Sequence, residues 1–150
     1  MFQNLLVPLD GSQFGELALT YALSLAQKYA AHIILLHVVP SIWEAEMRAE
    51  VPESEDIALE IETEDATDYL HQKEALLRND GFQVTAVILK GEPVHIMILK
   101  AIETENADTI IMSTHGFTGV RRLMFGNIAE KVINKATVPV LLIRPPEKDF

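Results

Sequence analysis

Between Met112 and Glu130 the chain places small, flexible and hydrogen-bonding residues where an apolar run stops. The run Asp108 to Met112 gives way to Ser113-Thr114-His115-Gly116 and Phe117-Thr118-Gly119, and a further glycine, Gly126, precedes Asn127 and a new helical pattern. A strand end and a helix N-terminus are thereby delivered to one place, with glycines that let a ligand approach the backbone closely. Free amides at a helix start, reinforced by the helix dipole, hold anions. The chemistry implied is the cradling of a phosphate group. Arg121 and Arg122 lie within the same stretch and offer positive charge, although both are equally compatible with solvation or with pairing to an acidic surface.

Other chemistries find less support. The chain has no cysteine, which removes thiolate metal sites, disulfides and thiol nucleophiles. His32 and His37 are five positions apart, an odd step that turns them to opposite faces of a strand, while His71 and His95 fall on separate helical patterns. No His-x-x-x-His pair occurs, and no Gly-x-Ser-x-Gly elbow of a serine hydrolase. The glycine loop is neither a Gly-x-Gly-x-x-Gly following the first strand nor a phosphate loop ending in Lys-Ser/Thr, which argues against a dehydrogenase and a motor-type ATPase.

The elements that must position the loop alternate in period. Asn4 to Leu9, His32 to Val39, Phe82 to Leu89, Asp108 to Met112 and Pro139 to Ile143 are short apolar runs bounded by turn residues or proline. Helical spacing occupies Phe14 to Tyr29, about Glu64 to Asn79 with Gly81 as its C-terminal cap, Pro93 to Ile102, and Asn127 to Ala136 with Asn127 as N-cap. Uninterrupted Val/Ile/Leu strands are buried on both faces. The expected fold is a single doubly wound α/β domain over residues 1–150, with a five-stranded parallel sheet and helices on both faces. Ligands of such sheets bind at the carboxyl ends of strands where strand order reverses. Asp10-Gly11-Ser12 and Ser113 to Gly116 end the first and fourth strands, so the pocket is expected between them.

Composition narrows the partners. With 150 residues, 49% of them hydrophobic, the chain can bury a core of its own. A formal net charge of −10 opposes nucleic acid and anionic membrane surfaces. There is neither a signal-peptide pattern at the N-terminus nor an apolar run long enough to span a bilayer, so a cytoplasmic protein is expected. Acidic residues crowd Ser41 to Asp68, and an insertion over about 41–62 reads either as a solvated loop or as a docking segment anchored by Trp43 and Met47.

Taken in order, Pro8-Leu9-Asp10-Gly11-Ser12, His37-Val38-Val39, Gly91-Glu92-Pro93, Thr114-His115-Gly116-Phe117-Thr118-Gly119 and Val138 to Arg144 resemble a universal stress protein along essentially the whole chain. The ATP-binding branch of that family carries a glycine, two residues, a glycine, nine residues, and a glycine followed by Ser or Thr. Gly116 and Gly126 match the second and third glycines; Ser113 stands at the first, and Asn127 replaces the hydroxyl residue. Asn127 keeps amide donors and helix-capping chemistry. The resemblance implies that Asp10 faces the nucleotide, Val38 meets the adenine, and Pro8 and Leu9 line the wall. It implies further that Met112, Ser113, His115, Gly116, Gly126, Asn127, Ile128 and Ala129 surround sugar and phosphates. Each has a plainer reading: Asp10 as a turn former, His115 as a loop residue held by backbone bonds, Asn127 as a cap without a ligand.

The expected cofactor is ATP, with Mg²⁺ bridging its phosphates. The expected role is a stress-response or regulatory protein whose nucleotide sets conformation or dimer state. The alternatives are a nucleotide-free module docking protein partners through the acidic segment, and a slow ATPase or autophosphorylating protein; no residue is assigned to catalysis or to a metal. A homodimer is expected along 138–143, an apolar strand that comes last in the chain and therefore falls at the sheet edge.

Overall fold

The computed structural model describes residues 1–39, 55–91, 93–114 and 122–146, and of 55–63 and 122–127 the backbone alone. The first strand, β1 (Asn4–Pro8), is followed by α1 (Gln13–Tyr29), β2 (His32–Val39) and α2 (Glu55–Asn79). Then come β3 (Gln83–Lys90), α3 (Val94–Thr104), β4 (Thr109–Ser113), α4 (Arg122–Lys135) and β5 (Val140–Ile143). All five strands are parallel in the order β3-β2-β1-β4-β5. The order reverses between β1 and β4, as expected, and β5 is an edge.

Alternation along the strands divides the core between two faces. Leu5, Val7, Ile33, Leu35 and Ile111 pack with Ala18, Leu19 and Ala22 of α1 and Leu70 of α2. Leu6, Ile34, Leu36, Ile110 and Met112 pack with Ile98 and Ala101 of α3 and Ala129 and Val132 of α4. A central strand covered on both sides explains the uninterrupted apolar runs. Each large side chain fully buried here contributes about 1.5–3 kcal/mol from removal of apolar surface from water.

Polar residues fix the ends. The Ser12 hydroxyl caps α1, accepting from the Gly15 amide at 3.4 Å. Gly81, with φ of +94°, closes α2 as anticipated, its amide donating to the Arg78 carbonyl at 3.0 Å and that of Phe82 to Leu77 at 3.0 Å. At the amino ends of β1 and β4, Asp108 joins the two strands. Its Oδ2 accepts from the Gln3 amide at 2.8 Å and the Asn4 amide at 3.4 Å, and its Oδ1 from the Thr109 hydroxyl at 2.9 Å. Burial alone would raise the Asp108 pKa, but these donors outweigh it and hold the carboxyl below its ordinary value. Helix α2 docks on α1 where the Tyr69 hydroxyl donates to Glu16 and Lys73 pairs with the same carboxylate at 2.6 Å. Burial first, then the hydrogen bond to Glu16 and the charges of Glu16 and Asp10, push the Tyr69 phenol well above its ordinary pKa.

Two helix boundaries depart from the sequence expectation. Helix α2 begins at Glu55, not near Glu64, so residues 55–62 of the expected insertion are helical. Residue types favour this: Ala58, Leu59 and Glu60 are good helix formers, and acidic residues such as those at 55 and 56 are favoured in a first helical turn. Trp43 and Met47 lie outside the described residues. Helix α4 begins at Arg122, so Asn127 is not its N-cap and Gly126 stands inside it. Leu123, Met124 and Phe125 extend the helix upstream, and one interior glycine costs only about 1 kcal/mol.

His95, in the first turn of α3, is buried at 7% exposure. Burial, then the charges of Lys131 and Lys135 on α4, lower its pKa. The unfolded chain therefore takes up the proton first as pH falls. Stability is full above about 6.5, the ordinary histidine value, and declines as pH drops from there through the lowered folded value. Thermal unfolding followed between pH 7.5 and 5.5 should show a smaller loss of Tm in His95→Gln than in the unaltered protein. Equal slopes would mean that His95 carries no such linkage.

Candidate functional site

At the carboxyl end of β1 the chain turns sharply to enter α1. The Asp10 Oδ1 accepts from the Ser12 amide at 3.0 Å and from the Ser12 hydroxyl at 2.5 Å, an Asx turn that aligns the first turn of α1. Gly11 takes φ of +83°, a left-handed conformation that glycine adopts without a Cβ penalty. Gly15 allows the helix to sit against this turn, since a Cβ there would lie 3.2 Å from the Leu9 side chain and 3.5 Å from Asp10 Oδ1. The turn-former reading of Asp10 is thus realised, and it places the carboxylate at the strand end.

Beside it, the Leu9 amide donates to the Leu36 carbonyl at 2.7 Å and the His37 Nδ1 meets the Leu9 carbonyl at 2.8 Å. A carbonyl only accepts, so His37 carries its hydrogen on Nδ1 and donates it. Sequence reasoning saw in His37 a histidine unsuited to metal and a member of the His37-Val38-Val39 motif, with no role of its own. Its position at the end of a strand beside the Asp10 turn was the available signal for a residue that holds that turn in place. The Gly91 amide likewise ties the end of β3 to the Val39 carbonyl at 3.0 Å.

Strands β1 and β4 pair at Leu5–Thr109 and Leu6–Ile110, yet β1 runs on to Pro8 and β4 to Ser113. The strands part toward their carboxyl ends, which opens the sheet at its point of reversal. Pro8 continues the alternation of Leu6, and Val38 that of Leu36, so both turn to the α3–α4 face together with Met112. Val38 and Ile128 are partly buried there, and Met112 and Ala129 buried. The structure therefore brings Pro8, Val38, Met112, Ile128 and Ala129 to one side of the opening. Leu9 goes the other way: its side chain is buried in the α1 face of the core, leaving its backbone at the rim. Ser113 is buried at the end of β4.

His115 and Gly116 lie outside the described residues. With α4 starting at Arg122, the amides lacking an intrahelical partner at its N-terminus belong to Arg122 through Phe125 rather than to the residues after Gly126. Gly126 and Asn127 follow one turn later. A concavity of about 220 Å³ adjoins this region on the β5 side, lined by Thr114, Ala129, Glu130, Ile133, Asn134 and Leu142. It shares Ala129 with the expected site and none of its β1 or β2 residues. Its largely apolar lining suits it less well to an anion than the opening between β1 and β4. Among the described residues no group of His, Asp and Glu is placed to hold a metal ion, and no helix is long and apolar enough to cross a membrane.

The similarities to known proteins agree with this architecture. Universal stress protein MJ0577 of Methanocaldococcus jannaschii is 31% identical, with 96% of each chain covered, and its solved structure matches with a TM-score of 0.81 over 99% of both chains. Universal stress protein YxiE of Bacillus subtilis is 30% identical over 96% of this chain and 100% of its own. A universal stress protein solved in complex with cAMP shares the fold, with a TM-score of 0.68 at 16% identity, over 94% of this chain and 96% of its own. The family model for universal stress proteins matches residues 1–144. With relatives aligned nearly end to end and a parallel sheet whose strands part between β1 and β4, this chain belongs to the universal stress protein family.

Proposed function

We propose that this protein binds ATP in the opening between β1 and β4 and acts in the cytoplasm as a regulatory stress-response protein, the nucleotide setting its conformation or dimer state. The observation that carries the reading is the apolar wall of Pro8, Val38 and Met112 at the carboxyl ends of three adjacent strands, beside a carboxylate turn at Asp10. The adenine ring rests on that wall near Val38, and Asp10 faces the ribose. The phosphates lie toward the end of β4 and the start of α4, and His115, Gly116, Gly126 and Asn127 are the residues we assign to them. Ser113, Ile128 and Ala129 close the floor. Mg²⁺ would supply positive charge to the phosphates, since a net charge of −10 leaves little general attraction for a polyanion. The fold's capacity to hold an adenine nucleotide in one relative, the cAMP complex, supports the same reading.

Ser113 in the first motif position and Asn127 inside α4 favour one competitor, a nucleotide-free module that docks partners through its acidic segment. Calorimetry with ATP and Mg²⁺ at millimolar concentration separates the two: heat and a raised Tm are expected, and their absence leaves the module. Gly126→Val tests the phosphate position. Cβ atoms tilt toward a helix N-terminus, so a branched side chain at 126 crowds the turn that offers free amides. Valine is no worse a helix former than glycine, so the helix should persist. ATP affinity should fall at least tenfold, on the order of 1.4 kcal/mol. Unchanged affinity would place the phosphates elsewhere.

The dimer is proposed along β5. The Pro139 and Ile143 carbonyls accept from β4, so the backbone groups of Val140 and Leu142 face outward from the edge. Leu141 and Ile133 are exposed beside them, at 38% and 45%. Pairing β5 with its copy about a two-fold axis satisfies both edges at once. Light scattering at micromolar concentration should give a dimer, and Val140→Lys with Leu142→Lys a monomer. A dimer that survives the double change would put the interface on another surface.

A further inference from the structure

The sheet has a second edge, β3, and its treatment differs from that of β5. Within β3 the Gly91 amide reaches the Val39 carbonyl, so odd-numbered residues point their backbone groups at β2 and even-numbered ones point outward. Two of the outward groups carry side-chain bonds from α2. Arg78 Nε donates to the Val84 carbonyl at 2.9 Å, and the Ala86 amide donates to Glu74 Oε1 at 3.3 Å. Glu74 and Arg78 are bonded to one another at 2.7 Å, one helical turn apart. An acceptor and a donor are thus presented to the strand at alternate residues, the spacing at which a neighbouring strand would offer its own groups. The Glu74 side chain is 15% exposed and held by both partners, so the arrangement is built into the α2–β3 packing.

We propose that Glu74 and Arg78 act as a surrogate strand that occupies the amino-terminal half of the β3 edge, at Val84 and Ala86, and hinders a second copy of this chain from adding its own β3 there. Strand β3 is long and rich in Val, Ile and Leu (Gln83–Lys90), and such an edge left open is a template for self-pairing. With these positions occupied, strand addition is favoured at β5 over β3. The inference is independent of whether β5 pairs, because it concerns only what β3 excludes.

Glu74→Ala and Arg78→Met are made separately in the Val140→Lys, Leu142→Lys background, so that association through β5 cannot contribute. Amide exchange is followed by NMR and mass by light scattering up to high micromolar concentration. In Glu74→Ala the Ala86 amide should exchange about tenfold faster, while the Thr85 and Val87 amides, which face β2, keep their protection. Either variant should then show a concentration-dependent rise in mass that its parent lacks. Should Glu74→Ala not fold, Arg78→Met decides alone, since methionine keeps the aliphatic stem and removes the donor to Val84. A folded Glu74→Ala with unchanged Ala86 exchange, or either folded variant with the parent's mass throughout the range, would overturn the proposal.

Discussion

The strand on which everything else depends is β1. It is the one strand shared by the two halves of the sheet, flanked by β2 and β4, with Leu5, Leu6 and Val7 fully buried between helices on both faces. At its amino end Asp108 binds it to β4 through the amides of Gln3 and Asn4. At its carboxyl end the chain leaves β1 for α1 on one face, while β4 leads to α4 on the other. Opening at the reversal is a consequence of connectivity, since the connections that leave β1 and β4 run to opposite faces of the sheet. The same constraint gathers Pro8, Val38 and Met112 onto one side.

Charge shapes the rest. A chain with net charge −10 repels polyanions at long range, so any anion it holds must be met by short-range donors. Amides at a helix start suit this role because their partial charges are fixed and need no counter-residue. The carboxylate at the opening, Asp10, is already committed through Oδ1 to the Ser12 turn, which orients α1. One side chain thereby serves local folding and the geometry of the strand end. His37 adds a second restraint on the same turn through the Leu9 carbonyl.

Much of this was legible in the residues, for reasons that can be named. Doubly buried strands have no alternative to unbroken apolar runs, so β1, β2 and β3 could be found within a residue or two, and with them the parallel α/β class. The end of α2 was legible because Gly81 takes a conformation that other residues avoid. The start of α2 was not, because Glu55 to Asp68 is held helical by propensity and end charges instead of an apolar stripe. The start of α4 was obscured by Gly126-Asn127, which has the composition of a helix mouth but follows a run able to continue the helix. Asp108 read as the first residue of a strand, and its role as a clip depends on Gln3 and Asn4, more than a hundred positions away. The bonds of Glu74 and Arg78 to β3 were invisible for the same reason: an ion pair one helical turn long looks like any exposed pair until the strand beneath it is placed.

The central claim is that the opening between β1 and β4 is where this protein takes its ligand. Titration of ¹⁵N-labelled protein with ATP and Mg²⁺, followed amide by amide, tests it most directly. The account predicts the largest shifts at Asp10 to Ser12, at Val38 and Val39, and at Ser113 and Thr114, with β3 and the far end of α1 undisturbed. Shifts concentrated instead at Glu130, Ile133 and Leu142, around the concavity on the β5 side, would contradict it, as would a spectrum that does not change at millimolar nucleotide.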